Sequence, residues 1–194
     1  MLGEEEVRDA YAEARSYERD ARAAEKEGND EVALGLWQRY ADLKERKGSY
    51  FLCMYGYFNV ARIFDKRSNW RDAAESFKKA AALADSLGEH SLWVFLMHLA
   101  CQMHEKAGDY AACRDHYETI GNFFFTRDNF FGAADAYEHA AEIMSLAGED
   151  ISRYEVPVAA WQRNYEYWKE HGELDDAAWS LKRVDAYRSA QQRL

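Results

Sequence analysis

A chain of 194 residues with 35 acidic and 25 basic side chains carries a formal charge of −10, which disfavours nucleic acid and acidic membrane surfaces as partners and favours basic ones. Its 3 cysteines, an odd number set in helical text, suit reduced buried thiols better than a secreted disulfide framework. The opening MLGEEEVRDAYAEARSYERDARAAEKEG has no cationic flank before an apolar core, so neither a signal peptide nor membrane insertion is expected, and a cytoplasmic location follows by default.

The first predicted helix covers about residues 4 to 27, with a narrow inner face of Val7, Ala10, Tyr11, Ala14, Tyr17, Ala21 and Ala24, and serves as a cap. From its end a fixed beat runs along the chain. Gly28, Gly48, Ser68, Gly88, Gly108, Asp128 and Gly148 stand twenty positions apart, and Asn29, Ser49, Asn69, Glu89, Asp109, Asn129 and Glu149 follow them. Each joint thus offers a residue that tolerates positive φ to end one helix and usually a capping side chain to start the next. The intervening segments, roughly 18 residues or about 27 Å of helix, predict helices over 29–47, 50–66, 69–87, 90–107, 109–126 and 129–147. The beat breaks at GEDISRYEVPVAAW, where Pro157 either begins the eighth helix or kinks it. A last joint at Gly172 precedes a helix over 174–191 that ends in the polar run RSAQQRL, as a solvent-facing cap should.

Apolar residues keep the same beat. Trp37, Tyr57, Phe77, Met97, Tyr117 and Tyr137 form a bulky row, and Tyr40, Val60, Ala80, Ala100, Ile120, Ala140 and Ala160 a mostly smaller one three residues later. Ala41, Ala61, Ala81, Cys101, Gly121 and Ala141 complete i, i+3, i+4 faces with small residues where helix axes approach closely. The expected fold class is all-α, an α-α superhelix of antiparallel hairpins with about nine helices. It forms one elongated domain, 1–194, with an N-terminal cap at 1–28, regular twenty-residue helices over 29–148, and a C-terminal hairpin and cap over 149–194.

Tyr57, Val60, Ala61, Phe64, Ala73, Phe77 and Ala80 follow an aromatic, Leu-like, Gly/Ala, aromatic, then Ala, aromatic, Ala pattern, and Tyr117, Ile120, Gly121, Phe124, Ala133, Tyr137 and Ala140 follow it again. Trp161, Trp168, Ala177, Leu181 and Val184 match in part. In these residues the chain resembles the tetratricopeptide family, which implies a right-handed helical array, although the hairpin period here is 40 residues and the two good matches stand 60 apart. The longer hairpins in NVARIFDKRSNWRDAAESFKKAAAL and IGNFFFTRDNFFGAADAYEHAAEI are similar to those of the soluble NSF attachment proteins. That likeness implies a membrane-trafficking adaptor as an alternative function.

A repeat array of this kind implies a scaffold or adaptor for another protein, peptide or helix. With the odd-numbered helices as the inner layer, the groove would be lined by Tyr55, Phe58, Arg62 and Lys66 of the third helix and Phe95, His98, Gln102 and Lys106 of the fifth. Both helices are apolar around nearly the whole circumference and need cover on every side, from a partner, from neighbouring helices, or from a second copy in a homodimer. Glu138 and Glu142 of the seventh helix would form an acidic rim. Of the Lys, Asn and Arg set with which tetratricopeptide co-chaperones hold a C-terminal carboxylate, Asn59 alone stands at a matching place, and the first-hairpin positions read Glu18 and Arg22.

Cys101 and His104 lie three apart on one helix, and Cys113 and His116 three apart on the next, on either side of the Gly108–Asp109 joint. Two thiolates and two imidazoles make a tetrahedral zinc set. The opposing reading is packing, because Cys101 falls in the alanine seam and His104 shares its row with Phe64, Ala84, Phe124 and Met144, although Lys44 in that row should reach solvent. No Gly-rich phosphate loop, G-x-S-x-G elbow or H-E-x-x-H helix occurs, and pairs such as His139 with Glu142 are ordinary on solvated helix faces. The sequence therefore reads as a non-enzyme without a cofactor, and a metal-stabilised or catalytic helical protein is the alternative of another class.

Overall fold

The structure, a computed structural model, describes residues 4–152 and 154–191. The side chains of Val7 and Ala10, and the end of the polar run at 192–194, lie outside the described residues. Among the described residues the fold is all-α: α1 (Glu4–Lys26), α2 (Asp30–Arg46), α3 (Tyr50–Lys66), α4 (Trp70–Ser86), α5 (His90–Lys106), α6 (Tyr110–Phe125), α7 (Phe130–Leu146), α8 (Val156–Glu170) and α9 (Leu174–Gln191). Each predicted helix is present, with bounds displaced by a residue or two. Pro157 lies buried in the first turn of α8, which it begins rather than kinks, because its missing N–H falls among donors that have no intrahelical partner.

The joints explain the beat. Gly28, Gly48, Gly88, Gly108, Gly148 and Gly172 all have φ between 67° and 79°, and Ser68 and Asp128 hold the same left-handed conformation at 56° and 57°. At the joint after α2, Gly48 N–H donates to Glu45 C=O and Ser49 N–H to Lys44 C=O. This pair of bonds closes a helix C-terminus around one left-handed residue. The same pair recurs around Gly28, Ser68, Gly88, Asp128, Gly148 and Gly172. The residue that seals one helix also opens the next, since Asn29, Ser49, Asn69, Glu89, Asp109, Asn129 and Glu173 each accept the first intrahelical bond on their own carbonyl. Side-chain capping is less general than expected. Asn29, Asp109 and Asn129 accept a backbone N–H three residues on, whereas Ser49, Asn69 and Glu89 make no such bond. The Asn69 amide turns instead to the Asp72 carboxylate at 2.6 Å.

Residues group into two compact units, Met1–Ala107 and Gly108–Leu194. In the first, α1 packs on α2, α2 on α3, α3 on α4 and α4 on α5; in the second, α6 packs on α7, α7 on α8 and α8 on α9. Neighbours run antiparallel, because contacting residues straddle each turn: Trp37 with Glu25, Gly56 with Ala41, Tyr137 with Asn122, and Asn164 with Ser180. The small-residue seam is real. Ala41, Ala61, Ala80, Ala100, Cys101, Ala140 and Ala160 are at 0–2% exposure. A Cβ on Gly56 would come 2.8 Å from that of Ala41, and one on Gly121 would overlap the Tyr137 ring. The bulky row is buried except at Tyr57, which is half-buried. Its hydroxyl reaches Glu45, and the Lys79 ammonium lies 5.5 Å from its ring centroid. Lys44, expected to reach solvent, is buried at 8%, its ammonium over the rings of Tyr11 and Tyr40. The aliphatic stem fills the seam while the charge rests on two π-faces.

Candidate protein-interaction surface

Odd-numbered helices are linked to one another in the first unit by side chains. Glu25 of α1 accepts from Arg62 of α3, and Arg22 of α1 donates to the Tyr55 hydroxyl of α3 at 2.8 Å. Lys66 of α3 donates to Asp30, at the head of α2, at 2.6 Å, and Lys106 of α5 to Asp65 of α3 at 2.8 Å. Beneath the first pair the Trp37 indole donates to Glu25 at 2.7 Å, and its ring meets that of Tyr55 edge-on. Asn59, buried at 5%, donates to the Tyr55 carbonyl. Arg22, Glu25, Trp37, Tyr55, Asn59 and Arg62 line an open cleft of about 240 Å³. Both arginines there are half in solvent, with 60% and 54% of the side chain exposed. The Arg22 pKa is raised, first by its hydrogen bond to Glu18.

Of the eight groove residues expected on the third and fifth helices, Tyr55 and Arg62 come together in this cleft. Lys66 and Lys106 are held in ion pairs within the unit. Phe58 is half-buried and turns to α4, where it meets Phe77 edge-on at 5.7 Å. Phe95 is 50% exposed, His98 is half-buried and Gln102 is exposed. Glu138 and Glu142 belong to the second unit. Glu142 is exposed and bonds His139. Glu138 is the better anchored, accepting from the Trp161 indole of α8 at 2.9 Å and from Arg183 of α9.

The anchors Arg22, Glu25, Asp30, Asp65, Trp161 and Arg183 were not among the expected site residues. Their signal is charge complementarity roughly one hairpin apart: Glu25–Arg62, Asp30–Lys66, Glu31–Arg67 and Asp65–Lys106 are separated by 37, 36, 36 and 41 residues. In the second unit, Arg114–Glu149 and Glu118–Tyr154 are separated by 35 and 36. These bonds strap the loop before α8, whose Ile151 and Tyr154 carbonyls also accept from Gln191.

The cysteine and histidine set divides between the units, Cys101 and His104 in the first, Cys113 and His116 in the second. Both cysteines are at 0% exposure, His104 is at 5% and His116 is half-buried. Among the described residues no group of three or more His, Cys, Asp or Glu side chains is arranged to hold a metal ion. No described helix is long and apolar enough to cross a membrane.

Among the described residues, seven aromatic side chains are exposed. Six of them, Tyr11, Tyr50, Phe51, Phe95, Phe131 and Trp179, stand on odd-numbered helices, and Tyr167 alone on an even one. The other described aromatics of the even helices are buried or half-buried.

No protein-family model matches the chain, and no curated protein matches it in sequence. Among solved structures it is similar to a signal-transduction ATPase with numerous domains (STAND) protein with a tetratricopeptide repeat sensor from Pyrococcus horikoshii, at TM-score 0.53 and 15% identity, over 96% of this chain and 31% of that one. It also aligns with a Podosopora anserina putative kinesin light chain of nearly identical TPR-like repeats, at TM-score 0.43 and 14% identity, over 93% and 97% of the two chains. A third alignment, to the MamA protein, has TM-score 0.30 and 13% identity over 93% and 94%. The chain spans about a third of the STAND protein it matches, and these neighbours lend no support to the likeness with the NSF attachment proteins. Helices, joints and the first of these neighbours agree that the chain has the tetratricopeptide-like helical-repeat fold.

Proposed function

We propose that the chain is a protein-interaction scaffold that presents its odd-numbered helices to a partner peptide or helix. The observation that carries this reading is the sorting of exposed aromatics onto those helices. Aromatic rings left in water cost free energy unless a partner covers them, and they dominate binding where one does. In the first unit the partner lies along α1, α3 and α5, where Phe95 supplies apolar contact. Arg62, Lys66 and Lys106, with the Tyr55 hydroxyl beside them, supply a polar face, and the carboxylate partners of the three cations can be exchanged for those of a ligand. His98 and Gln102 complete the face on α5, and Phe58 supports it from below. In the second unit Glu138 and Glu142 carry the acidic side of the same role. The proposed protein binds rather than catalyses, and acts in the cytoplasm as one scaffold.

The test is affinity capture with the full chain against Phe95→Ala combined with Arg62→Glu, each variant first matched to the parent in its thermal melt. The reading expects a specific partner held by the parent and lost by the variant. A variant that keeps its fold and every partner removes the first unit's face from consideration. Trafficking-adaptor and metal-dependent roles have no comparable observation behind them.

A further inference from the structure

Phe131 of α7 and Trp179 of α9 stack on one another with centroids 5.8 Å apart and planes at 24°, yet 49% and 45% of the two residues remain exposed. Both rings rest on Trp161, itself 1% exposed, which they meet edge-on at 5.6 and 5.1 Å. Trp161 is pinned in turn by its bond to Glu138. The result is a shelf of two half-exposed stacked rings on a buried indole.

Charge around the shelf is mixed, with carboxylates in excess. Asp135 lies one helical turn after Phe131, with the His139 ring 3.9 Å away, and Asp175 and Asp176 lie one turn before Trp179, all three carboxylates exposed; Lys182 is an exposed cation one turn after Trp179. Arg183 is bonded to Glu138 and lies 5.6 Å from the Trp161 ring centroid, and Arg163 is bonded to Glu166. Exposed aromatic faces fringed by carboxylates attract a cation on an apolar stem, because the ring quadrupole and the carboxylates pull together while the stem covers the rings. A second copy of this chain is a poor occupant, since each copy carries a formal charge of −10.

We propose that the Phe131–Trp179 shelf is a docking site for a basic segment of a partner protein, whose arginine or lysine stems lie on the two rings with their charges on Asp135, Asp175 and Asp176. The assignment rests on the scaffold reading and names the chemistry of its partner in the second unit.

The experiment measures binding of a fluorescein-labelled arginine–leucine peptide to the full chain by anisotropy, beside a peptide with glutamate in place of arginine. Expected are saturable binding of the arginine peptide only, weakened by salt, and a loss of about tenfold in Phe131→Ala/Trp179→Ala, which leaves the charge unchanged. The neutralised set Asp135→Asn/Asp175→Asn/Asp176→Asn should lose about tenfold as well and keeps the test valid if the aromatic variant fails to fold. Asp85→Asn/Glu89→Asn in the first unit should bind like the parent. Equal losses in that control would reduce the effect to general acidity and overturn the proposal, as would unchanged binding in both shelf variants. Arginine-peptide binding lost only in Phe95→Ala/Arg62→Glu would overturn the shelf and leave the scaffold reading standing, whereas indifference of every variant to both peptides would remove both. A self-associating parent that becomes monomeric in Phe131→Ala/Trp179→Ala would overturn it in favour of a second copy.

Discussion

Trp161 meets Trp179 edge-on at 5.1 Å and 82°, and Trp37 meets Tyr55 in the same manner at 5.5 Å and 88°. Both tryptophans stand eleven residues before a turn glycine and both partners seven after it, around Gly172 and Gly48. In each case the indole N–H is satisfied by a glutamate from the preceding helix, Glu138 or Glu25, which also receives an arginine from the following one. The recurrence shows a three-helix unit of packing that the chain uses in both halves.

Glu138→Ala should therefore leave a buried indole donor and an arginine without their acceptor, and lower stability by about 1–3 kcal/mol. Glu138→Gln keeps an acceptor oxygen and should lose less. Urea unfolding compares the two, and equal losses would mean that the charge on Arg183, not the indole bond, sets the cost.

The seam between helices leaves no room for added carbon. Gly121→Ala must displace the Tyr137 ring, and Ala80→Leu or Ala140→Leu must spread helices whose alanines are at 0% exposure. Each should cost about 1–3 kcal/mol. Thermal melts that match the parent for all three would contradict this packing.

Ser68 and Asp128 hold the left-handed conformation that glycine adopts at the other joints. Ser68→Gly and Asp128→Gly should each stabilise the chain, by up to about 1 kcal/mol, since the Cβ penalty is removed while the paired helix-ending bonds remain. Loss of stability in both variants would show that the Cβ strain at these joints is smaller than the backbone entropy glycine adds to the unfolded chain.

Burial pushes the phenols of Tyr40, Tyr57 and Tyr187 up from 10.0 to about 12, and the Cys53 thiol from 9.0 to about 11. The phenols are neutral in both states below about pH 9 and the thiol below about pH 8. Between the unfolded and folded values the unfolded chain loses protons that the folded chain keeps, so stability falls as pH rises from about 8 to 12, first through Cys53 and then through the phenols. Tyrosinate absorbance of the folded chain should lag that of the urea-unfolded chain across this range. Coincident titrations would place these phenols in water.

The helices and their ends were legible because each is a local matter. A left-handed residue every twenty positions stops a helix by backbone sterics alone, and the alanine row marks where axes approach, so Gly48, Ala80 and Ala140 announce their roles without reference to distant residues. Side-chain capping was read too generously: Ser49, Asn69 and Glu89 make no side-chain cap bond, and the Asn69 amide N–H donates to the Asp72 carboxylate. The faces of α3 were read only in part. Phe58 has the period of a groove residue, yet it is shared with Phe77 on the next helix. Lys44 has the character of a surface residue, yet its charge lies over two rings.

What the sequence determined by itself is the metre: where the chain reverses, which residues meet at the seam, and that the outcome is a helical repeat. What only the tertiary structure decided is which side chains of odd-numbered helices find each other across a hairpin. The pairings of Glu25 with Arg62, Lys106 with Asp65, and Phe131 with Trp179 depend on how two helices that are not neighbours in sequence are rotated and shifted by the one between them. A twenty-residue beat fixes the length of each rod, but the volumes packed along the seam fix its rotation, and that rotation decides which aromatics are covered and which are left for a partner.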